Sequence, residues 1–329
     1  MTASDLARVV SAVEKVESIV EQVTAESFDE SGYLAFNQDV HAAITNGLVQ
    51  SAHEHFDKIG HKENRHQFGP GKLERVTQLR AAKLERVKFD PTLQPEPLSD
   101  HKRSYLTDDL KEQFHIVPTA NVSSNNYDPK VIEIIEANKD GIILDCGAGE
   151  RSDYYSNVLN YEIANYWSTD VLGVGERLPF EDESFDAIIS VAVLEHVKDP
   201  FQCASEIARV LKKGGTLFSA IPFLQPYHGY PHHYYNMTHQ GHRNLYDHTF
   251  EDIEVSVYES LRPIFTLTWF LNSYSNGLPR MTKRKFLNMK VKDLLASPIS
   301  FLGEDFVRQL SDEADFELAS GTVLIGKKA

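Results

Sequence analysis

Cysteine is scarce in this chain, which carries only Cys146 and Cys203 among 329 residues. Two cysteines can build neither a disulfide framework nor a cysteine zinc site, and we therefore expect a reducing compartment.

Long apolar runs are also missing. The longest, residues 187–194, falls far short of the ~20 residues of a membrane helix, and charged residues interrupt the N-terminus where a signal peptide would be apolar. The sequence predicts a cytoplasmic protein that does not interact with a membrane.

Positively charged residues are also fewer than negatively charged ones. Lysine and arginine number 33 against 48 aspartates and glutamates, which gives a formal net charge of −15. Such a field opposes binding to phosphate backbones, so nucleic acid is excluded as an expected partner. The hydrophobic share of 41% is ordinary for a folded globular protein, and the length suggests two structural units.

The sequence pattern of the N-terminal third predicts helices. Apolar residues repeat at heptad spacing over residues 4–24, which predicts an amphipathic helix. Its apolar stripe would pack either on the chain's own helices or on a second subunit, so a homodimer through this helix is one expectation. Further helices are predicted over residues 34–59 and 72–87, and the proline-rich residues 89–100 predict a linker. We therefore expect a helical N-terminal extension and linker over residues 1–118.

From about residue 121 the pattern changes to apolar strands that alternate with helical periods. Strands are predicted near residues 141–146, 157–161, 169–172, 187–191 and 216–221, with helices over 129–137 and 201–211. This alternation indicates βαβ crossovers and a doubly wound, mostly parallel α/β sheet. A last antiparallel strand pair is predicted over residues 315–327, with its turn at residues 320–321. Ligands bind such sheets beyond the carboxyl ends of the strands.

The first of these strands runs into a glycine turn. Gly147 and Gly149 allow the backbone to turn tightly and to approach a ligand, and a helix after the turn would present its N-terminal N–H groups. A dinucleotide fold would have a third glycine, but Arg151 stands there and Asp145 precedes the turn. An acid at this point suits a cofactor with a positive amino group. Glu162, at the end of the next strand, is either a ribose ligand or a solvated acid.

Five sequence blocks then carry a resemblance to the class I S-adenosylmethionine-dependent methyltransferases, in particular their type 11 branch. In chain order they are ILDCGAG (143–149), RLPF (177–180), SFDAIIS (184–190), VLEHV (193–197) and EIARVLKKGG (206–215). The resemblance implies a Rossmann-like methyltransferase fold with a seven-stranded sheet, over a domain of residues 119–329. It also implies S-adenosylmethionine as the cofactor.

Carried over block by block, the resemblance implies a set of cofactor-binding residues around the strand ends. They are Asp145, Cys146, Gly147, Ala148, Gly149, Glu162, Ile163, Gly175, Glu176, Val191 and Ala192. Two positions depart from the family pattern. Arg151 replaces a frequent glycine, and Val174 stands where an aspartate often precedes the adenine loop, so we expect altered cofactor binding rather than none.

Residues 222–248, here called the histidine-rich segment, follow the last strand of the resemblance. Histidine and tyrosine crowd this segment between prolines and glycines. Three interpretations stay open: a substrate-binding lid, a polar surface loop, and a metal site, although no metal ligand is assigned. As a lid it would supply a base for a hydroxyl acceptor, and His228 and His233 are the candidate catalytic residues, with His196 of the VLEHV block as a third.

The sequence thus favours a methyltransferase that acts on a hydroxyl group of a small-molecule or sugar-type substrate. The alternative is a catalytically inactive binding or regulatory protein that keeps the fold. The departures at Arg151 and Val174 favour the alternative, whereas Asp145, Glu162 and the histidine-rich segment favour the enzyme.

Overall fold

The computed structural model describes residues 13–118, 124, 126–229 and 231–322. It divides into two compact units, residues 1–220 and residues 221–329. The boundary expected at residue 118 does not coincide with this division, because residues on both sides of it build the same sheet. In the described part of the chain, no helix is long and apolar enough to cross a bilayer.

The first unit begins with short strands and helices. In chain order they are β1 (Lys15–Val16), β2 (Val20–Gln22), α1 (Glu30–Phe36), α2 (Gln38–Thr45), α3 (Ala52–His55) with a π-helical turn (Phe56–Gly60), β3 (His66–Phe68) and α4 (Lys72–Arg86). The helix predicted over residues 72–87 is confirmed as α4. The helix predicted over 34–59 is divided into the separate helices α1, α2 and α3.

The amphipathic helix predicted over residues 4–24 is wrong where the structure describes it, and residues 4–12 lie outside the described residues. Residues 13–24 instead form β1, which pairs antiparallel with Tyr154–Tyr155, and β2, which pairs antiparallel with β3. The run is rich in valine and isoleucine, whose branched side chains fit strands better than helices. Ile19 and Val23 are buried in the chain's own core, so these residues do not form the exposed stripe from which a homodimer was inferred.

The rest of the first unit forms the main sheet and its flanking helices. The elements are β4 (Glu96–Pro97), β5 (Arg103–Ser104), α5 (Asp108–Phe114), α6 (Pro129–Ala137), β6 (Ile143–Cys146), β7 (Tyr154–Tyr155), β8 (Val158–Glu162), β9 (Val171–Leu172), β10 (Phe185–Val191), α7 (Pro200–Val210) and β11 (Leu211–Ala220). The strand order is β11-β10-β6-β8-β9-β5-β4. All neighbours are parallel except β4, which is antiparallel to β5.

This sheet confirms the predicted α/β fold with seven mostly parallel strands, and the helical N-terminal region is present. One element differs from the expectation: residues 147–157, all described, contain no helix between β6 and β8. The N-terminal helix α4 packs against β8. Its Arg80 and Lys83 are fully buried and bind the carboxylate of Asp170 at 3.1 and 2.7 Å. The N-terminal region therefore helps to cover the sheet, although the resemblance did not include it.

The second unit is helical over its described residues. It contains α8 (His239–Asn244), α9 (Pro263–Asn276), α10 (Arg280–Leu287), α11 (Asp305–Arg308) and α12 (Asp312–Glu317), with 3-10 turns at Glu259–Leu261, Val291–Leu295 and Pro298–Phe301. The first strand of the predicted C-terminal pair is wrong, because residues 315–317 belong to α12. Residues 323–329, in the second strand, lie outside the described residues.

Candidate active site

Asp145 lies at the carboxyl end of β6 and is completely buried. Its Oδ2 atom accepts hydrogen bonds from Arg151 Nη2 at 2.7 Å, from Arg151 Nε at 3.0 Å and from the Tyr127 hydroxyl at 2.5 Å. The Arg151 guanidinium also lies over the Tyr127 ring, 4.1 Å from its centre. Burial is the largest single influence on Arg151 and lowers its pKa, but Asp145, Tyr127 and Glu162 together outweigh burial and raise the arginine pKa.

The other oxygen of this carboxylate, Asp145 Oδ1, is buried and accepts no hydrogen bond from any described residue. A buried carboxylate oxygen normally has a donor, because desolvation without one is costly. The strand end therefore carries an acceptor that a ligand's amino group could satisfy, beside a guanidinium that could receive a ligand's carboxylate.

The glycine turn has the backbone conformation that the sequence predicted. Gly147 and Gly149 adopt left-handed conformations with φ of +83° and +65°. A Cβ on Gly147 would lie 2.4 Å from a methyl of Val193, so no larger residue fits there. The turn is held by Glu162 at the end of β8, whose Oε2 accepts the N–H of Gly149 at 2.9 Å and whose Oε1 accepts the N–H of Ile163 at 2.8 Å. Burial raises the pKa of the Glu162 carboxyl.

The adenine-loop candidates lie after β9. A Cβ on Gly175 would lie 2.6 Å from the sulfur of Cys203, which shows how closely this loop packs on α7. Glu176 accepts the backbone N–H groups of Lys198 at 3.1 Å and Asp199 at 3.3 Å, and burial raises its pKa. Cys146 is 1% exposed, so its side chain belongs to the core and only its backbone could meet a cofactor.

The end of β10 carries the remaining candidates of the first unit. Val191 and Ala192 are partly exposed, and Ala192 adopts a left-handed conformation with φ of +55°. Four residues after Val191 lies Glu195, which is 0% exposed. Neither of its carboxylate oxygens accepts a hydrogen bond from another described residue, and burial raises its pKa to about 8. The adjacent His196 Nε2 lies 3.7 Å from Glu195 Oε1.

The histidine-rich segment belongs to the second unit, where its first part forms a loop. The N–H of Met237 binds the carbonyl of Pro222 at 2.9 Å, so the chain returns on itself and the described residues between them belong to a closed loop. The loop holds its two candidate histidines differently. His233 Nδ1 accepts the backbone N–H of His228 at 3.0 Å, and its Nε2 therefore carries the proton that binds Asn236 Oδ1 at 3.0 Å.

His228 has the opposite tautomer. Its Nδ1 lies 2.8 Å from the carbonyl of Pro226, which only accepts, so Nδ1 carries the proton and Nε2 the lone pair. Burial lowers the pKa of His228. The lowered pKa favours the neutral imidazole near pH 7, with the lone pair on Nε2. In His233 the corresponding lone pair, on Nδ1, accepts a backbone hydrogen bond within the loop.

The metal interpretation of this segment gains no support from the second unit taken alone. Among its described residues, no three histidine, cysteine or carboxylate side chains bring ligand atoms within 4.8 Å of one another.

With this geometry in hand, comparison with known proteins identifies part of the chain. Residues 144–219 match the family profile described as a methyltransferase domain. They contain the glycine turn, Glu162, the adenine-loop candidates and the VLEHV block. This segment is a class I methyltransferase domain. Proteins of this class use S-adenosylmethionine as the methyl donor.

Curated relatives match short stretches of the chain. An uncharacterized methyltransferase of Mycobacterium tuberculosis is 42% identical over 57 residues, which are 17% of this chain and 22% of that protein. An uncharacterized protein of Methanocaldococcus jannaschii is 41% identical over 51 residues, 16% of this chain and 25% of that protein. The chain thus spans about a quarter of the length of these relatives.

A solved structure is also similar to part of the chain. It is a SAM-dependent methyltransferase, possibly a histamine N-methyltransferase, of Thermotoga maritima, and it is 24% identical over 34% of this chain and 65% of its own, with a TM-score of 0.27. A score this low supports no functional argument.

The sequence analysis did not identify three residues of the candidate site. Tyr127 precedes the first strand of the resemblance and gave no signal. Arg151 was noticed only as a departure from the glycine pattern, whereas the structure pairs it with Asp145. Glu195 lies inside the VLEHV block, in which the sequence analysis named only its neighbour His196 as a candidate catalytic residue.

Proposed function

We propose that the protein is an S-adenosylmethionine-dependent methyltransferase that transfers a methyl group to a hydroxyl of a small-molecule or sugar-type acceptor. The observation that carries the cofactor half of this proposal is the unsatisfied Oδ1 of Asp145. It lies at the end of the strand that leads into a left-handed glycine turn, and the turn is bound to Glu162 of the neighbouring strand.

The residues at these strand ends fit the cofactor in charge and hydrogen-bonding capacity. Asp145 offers an acceptor to the ammonium of the methionine end, and Arg151 offers a cation to its carboxylate. Three backbone N–H groups, of Gly149, Ile163 and Ala164, donate to the oxygens of Glu162. Because a carboxylate has about four acceptor sites, about one remains for a ribose hydroxyl. The backbone of Gly147, Ala148 and Gly149 would hold the methionine part, and Ile163, Gly175 and Glu176 would hold the adenine side.

S-adenosylmethionine supplies an electrophilic methyl group on a sulfonium, and the sulfur keeps the bonding electrons when the carbon–sulfur bond breaks. The protein's task is to align the acceptor with the methyl group and to exclude water, since alignment supplies much of the acceleration of such a displacement.

A hydroxyl acceptor must also lose its proton while its oxygen bonds to the methyl carbon. His228 is the base that we assign to this step, because its tautomer puts the lone pair on Nε2 and its lowered pKa keeps it neutral near pH 7. The proton moves to Nε2, and the resulting imidazolium is stabilised by the hydrogen bond from Nδ1 to Pro226.

An inactive binding protein is the second candidate, and the ion pair of Arg151 with Asp145 favours it. A cofactor acid that is already neutralised by an internal cation attracts an ammonium less than a free carboxylate does. The two candidates share the fold and differ in turnover.

Transfer of labelled methyl from S-adenosylmethionine separates them. The purified chain would be incubated with panels of hydroxyl, amine and carboxylate acceptors, including free and phosphorylated sugars. Label in a hydroxyl acceptor, lost in the His228→Gln variant, is the expected result. Binding of S-adenosylhomocysteine without label in any acceptor class would favour the inactive binding protein, and label in amines alone would contradict the hydroxyl assignment.

A further inference from the structure

Glu195 is a carboxyl group buried in the first unit that has no hydrogen-bond partner among the described residues. Its side chain is 0% exposed, and both oxygens lack a hydrogen-bond donor from any other described residue. Buried carboxylates in proteins are normally paired, hydrogen-bonded or bound to a metal ion. Nothing in the reaction described above uses this group, and its burial therefore calls for a ligand.

His196, the next residue, supplies a second ligand atom beside it. The Nε2 atom of His196 lies 3.7 Å from Oε1 of Glu195, which is too long for a hydrogen bond. The separation fits two ligands of one ion, since atoms at ~2.1 Å from a metal and 3.7 Å apart subtend an angle of about 120° there. The His196 side chain is 16% exposed, so the pair is reachable from one side.

A second acid–histidine neighbour pair shows which feature is unusual. His248 Nε2 lies 3.5 Å from Asp247 Oδ1, a similar distance, but its side chain is 88% exposed and that of Asp247 is 37% exposed. Water satisfies such a pair, whereas the carboxylate of Glu195 has no water-exposed surface. The difference in burial, rather than the sequence adjacency, distinguishes the pair at the end of β10.

From this geometry we infer that Glu195 and His196 form a binding site for a divalent cation of the Mn²⁺ to Zn²⁺ range. A carboxylate oxygen and an imidazole nitrogen together suit these ions better than Ca²⁺, which prefers oxygen alone. Two protein ligands leave coordination positions for water and for an acceptor's oxygen. The inference deepens the proposed function and rests on it, because a bound cation lowers the pKa of a coordinated hydroxyl and so eases loss of its proton.

The pair also lies close in sequence to groups that the methyl transfer would use. Val193, two residues before Glu195, contacts the position where Gly147 would carry a Cβ. Ala192, one residue earlier, is a cofactor candidate. The site is thus on the same loop as the groups expected beside the cofactor and acceptor.

Binding of Mn²⁺ to the full chain tests the site without cofactor or acceptor. The signal of free Mn²⁺ in electron paramagnetic resonance would be titrated with wild type and with the variants Glu195→Gln and His196→Gln. The matched controls are Asp247→Asn and His248→Gln. We expect one site per chain, competition by Zn²⁺, and at least ~tenfold weaker binding in both site variants but in neither control.

The inference is overturned if wild type binds no Mn²⁺ at millimolar concentration, or if Glu195→Gln binds as tightly as wild type while circular dichroism shows it folded. His196→Gln keeps the result interpretable if Glu195→Gln does not fold. Because the titration involves no S-adenosylmethionine, it can fail while the proposed function stands, and calorimetry with S-adenosylhomocysteine can fail while the cation site stands.

Discussion

Arg151 donates from Nη2 to Oδ2 of Asp145 across 2.7 Å, and both side chains are buried, at 5% and 0% exposure. The arginine stands where the methyltransferase pattern often has a glycine, and it places a cation against the acid that we propose as a cofactor ligand. The pair leaves Oδ1 of Asp145 without a donor. One oxygen thus binds the buried arginine, and the other is the acceptor that we propose for the ligand.

The first prediction follows from the different surroundings of the two carboxylate oxygens of Asp145. Asp145→Asn should weaken binding of S-adenosylhomocysteine by ~10- to 100-fold, because a charge-assisted hydrogen bond contributes about 1.5–3 kcal/mol. It should also lower the free energy of unfolding by ~3–5 kcal/mol, since Arg151 loses its buried partner. Calorimetry on the folded fraction measures the first effect and urea denaturation the second. Asp182→Asn, 76% exposed, is the control and should change neither; equal affinity in Asp145→Asn would remove the cofactor role of this acid.

The second prediction concerns the buried cluster that joins α4 to the sheet. Asp170 accepts from Arg80 and Lys83, from the Tyr154 hydroxyl, and from the N–H of Asn160. Asp170→Asn leaves two buried cations without their counterion and should lower the free energy of unfolding by ~3–5 kcal/mol. Asp108→Asn, whose carboxylate is 97% exposed beside Lys111, should cost ~0–1 kcal/mol.

Tryptophan fluorescence can follow this unfolding in the unit concerned. Trp167 lies in the first unit and Trp269 in the second, so a Trp269→Phe background reports on the first alone. A cost below about 1 kcal/mol for Asp170→Asn would mean that the cluster does not hold α4 on the sheet.

The third prediction tests whether the N-terminal strands are part of the core. Ile19 is 0% exposed and packs with Phe68, Val76 and Leu79. Ile19→Ala should cost ~2–5 kcal/mol through the lost contacts and the cavity left behind. Leu48→Ala, at a position 79% exposed, should cost little. Equal stabilities of the two variants in urea would contradict the burial of this strand region.

The fourth prediction assigns different roles to the two histidines of the closed loop. His228→Gln should lower the rate of methyl transfer by ~two to four decades through loss of the base. His233→Gln keeps a side chain that can bind Asn236, so its loss should be less than about tenfold. Burial lowers the pKa of His228 below the usual 6.5, so wild-type activity should be level near pH 7 and fall as pH drops through that lowered value. Equal rate losses in both variants, or an unchanged acid limb in His228→Gln, would contradict the assignment.

Much of the sheet could be predicted because its signals are local. The strand β6 lies in a mostly apolar run of the sequence. The helices α6 and α7 begin with clear N-terminal features, since Asp128 and Asp199 accept the N–H groups of Lys130 and Gln202. Helix caps and hydrophobic periodicity of this kind can be recognised in the sequence without knowledge of tertiary contacts.

The secondary-structure predictions failed where contacts between residues far apart in the sequence determine the structure. Residues 13–24 have heptad spacing, yet β1 finds its partner in Tyr154–Tyr155, more than a hundred residues away. The spacing alone could not reveal this pairing, whereas the branched residues pointed to strands. The helix expected after the glycine turn is absent because β8 begins at Val158, soon after Cys146, and β7 occupies part of the interval. Arg151 could be seen as a departure, but its pairing with Asp145 depends on the turn between them.

Isothermal calorimetry of the wild-type chain with S-adenosylhomocysteine is the most direct measurement of the central claim, that the strand ends around Asp145 and Glu162 bind the methyl donor. The account predicts saturable binding with one molecule per chain, weakened by ~10- to 100-fold in Asp145→Asn and unchanged in Asp182→Asn. No heat of binding from folded wild type at millimolar ligand would contradict it.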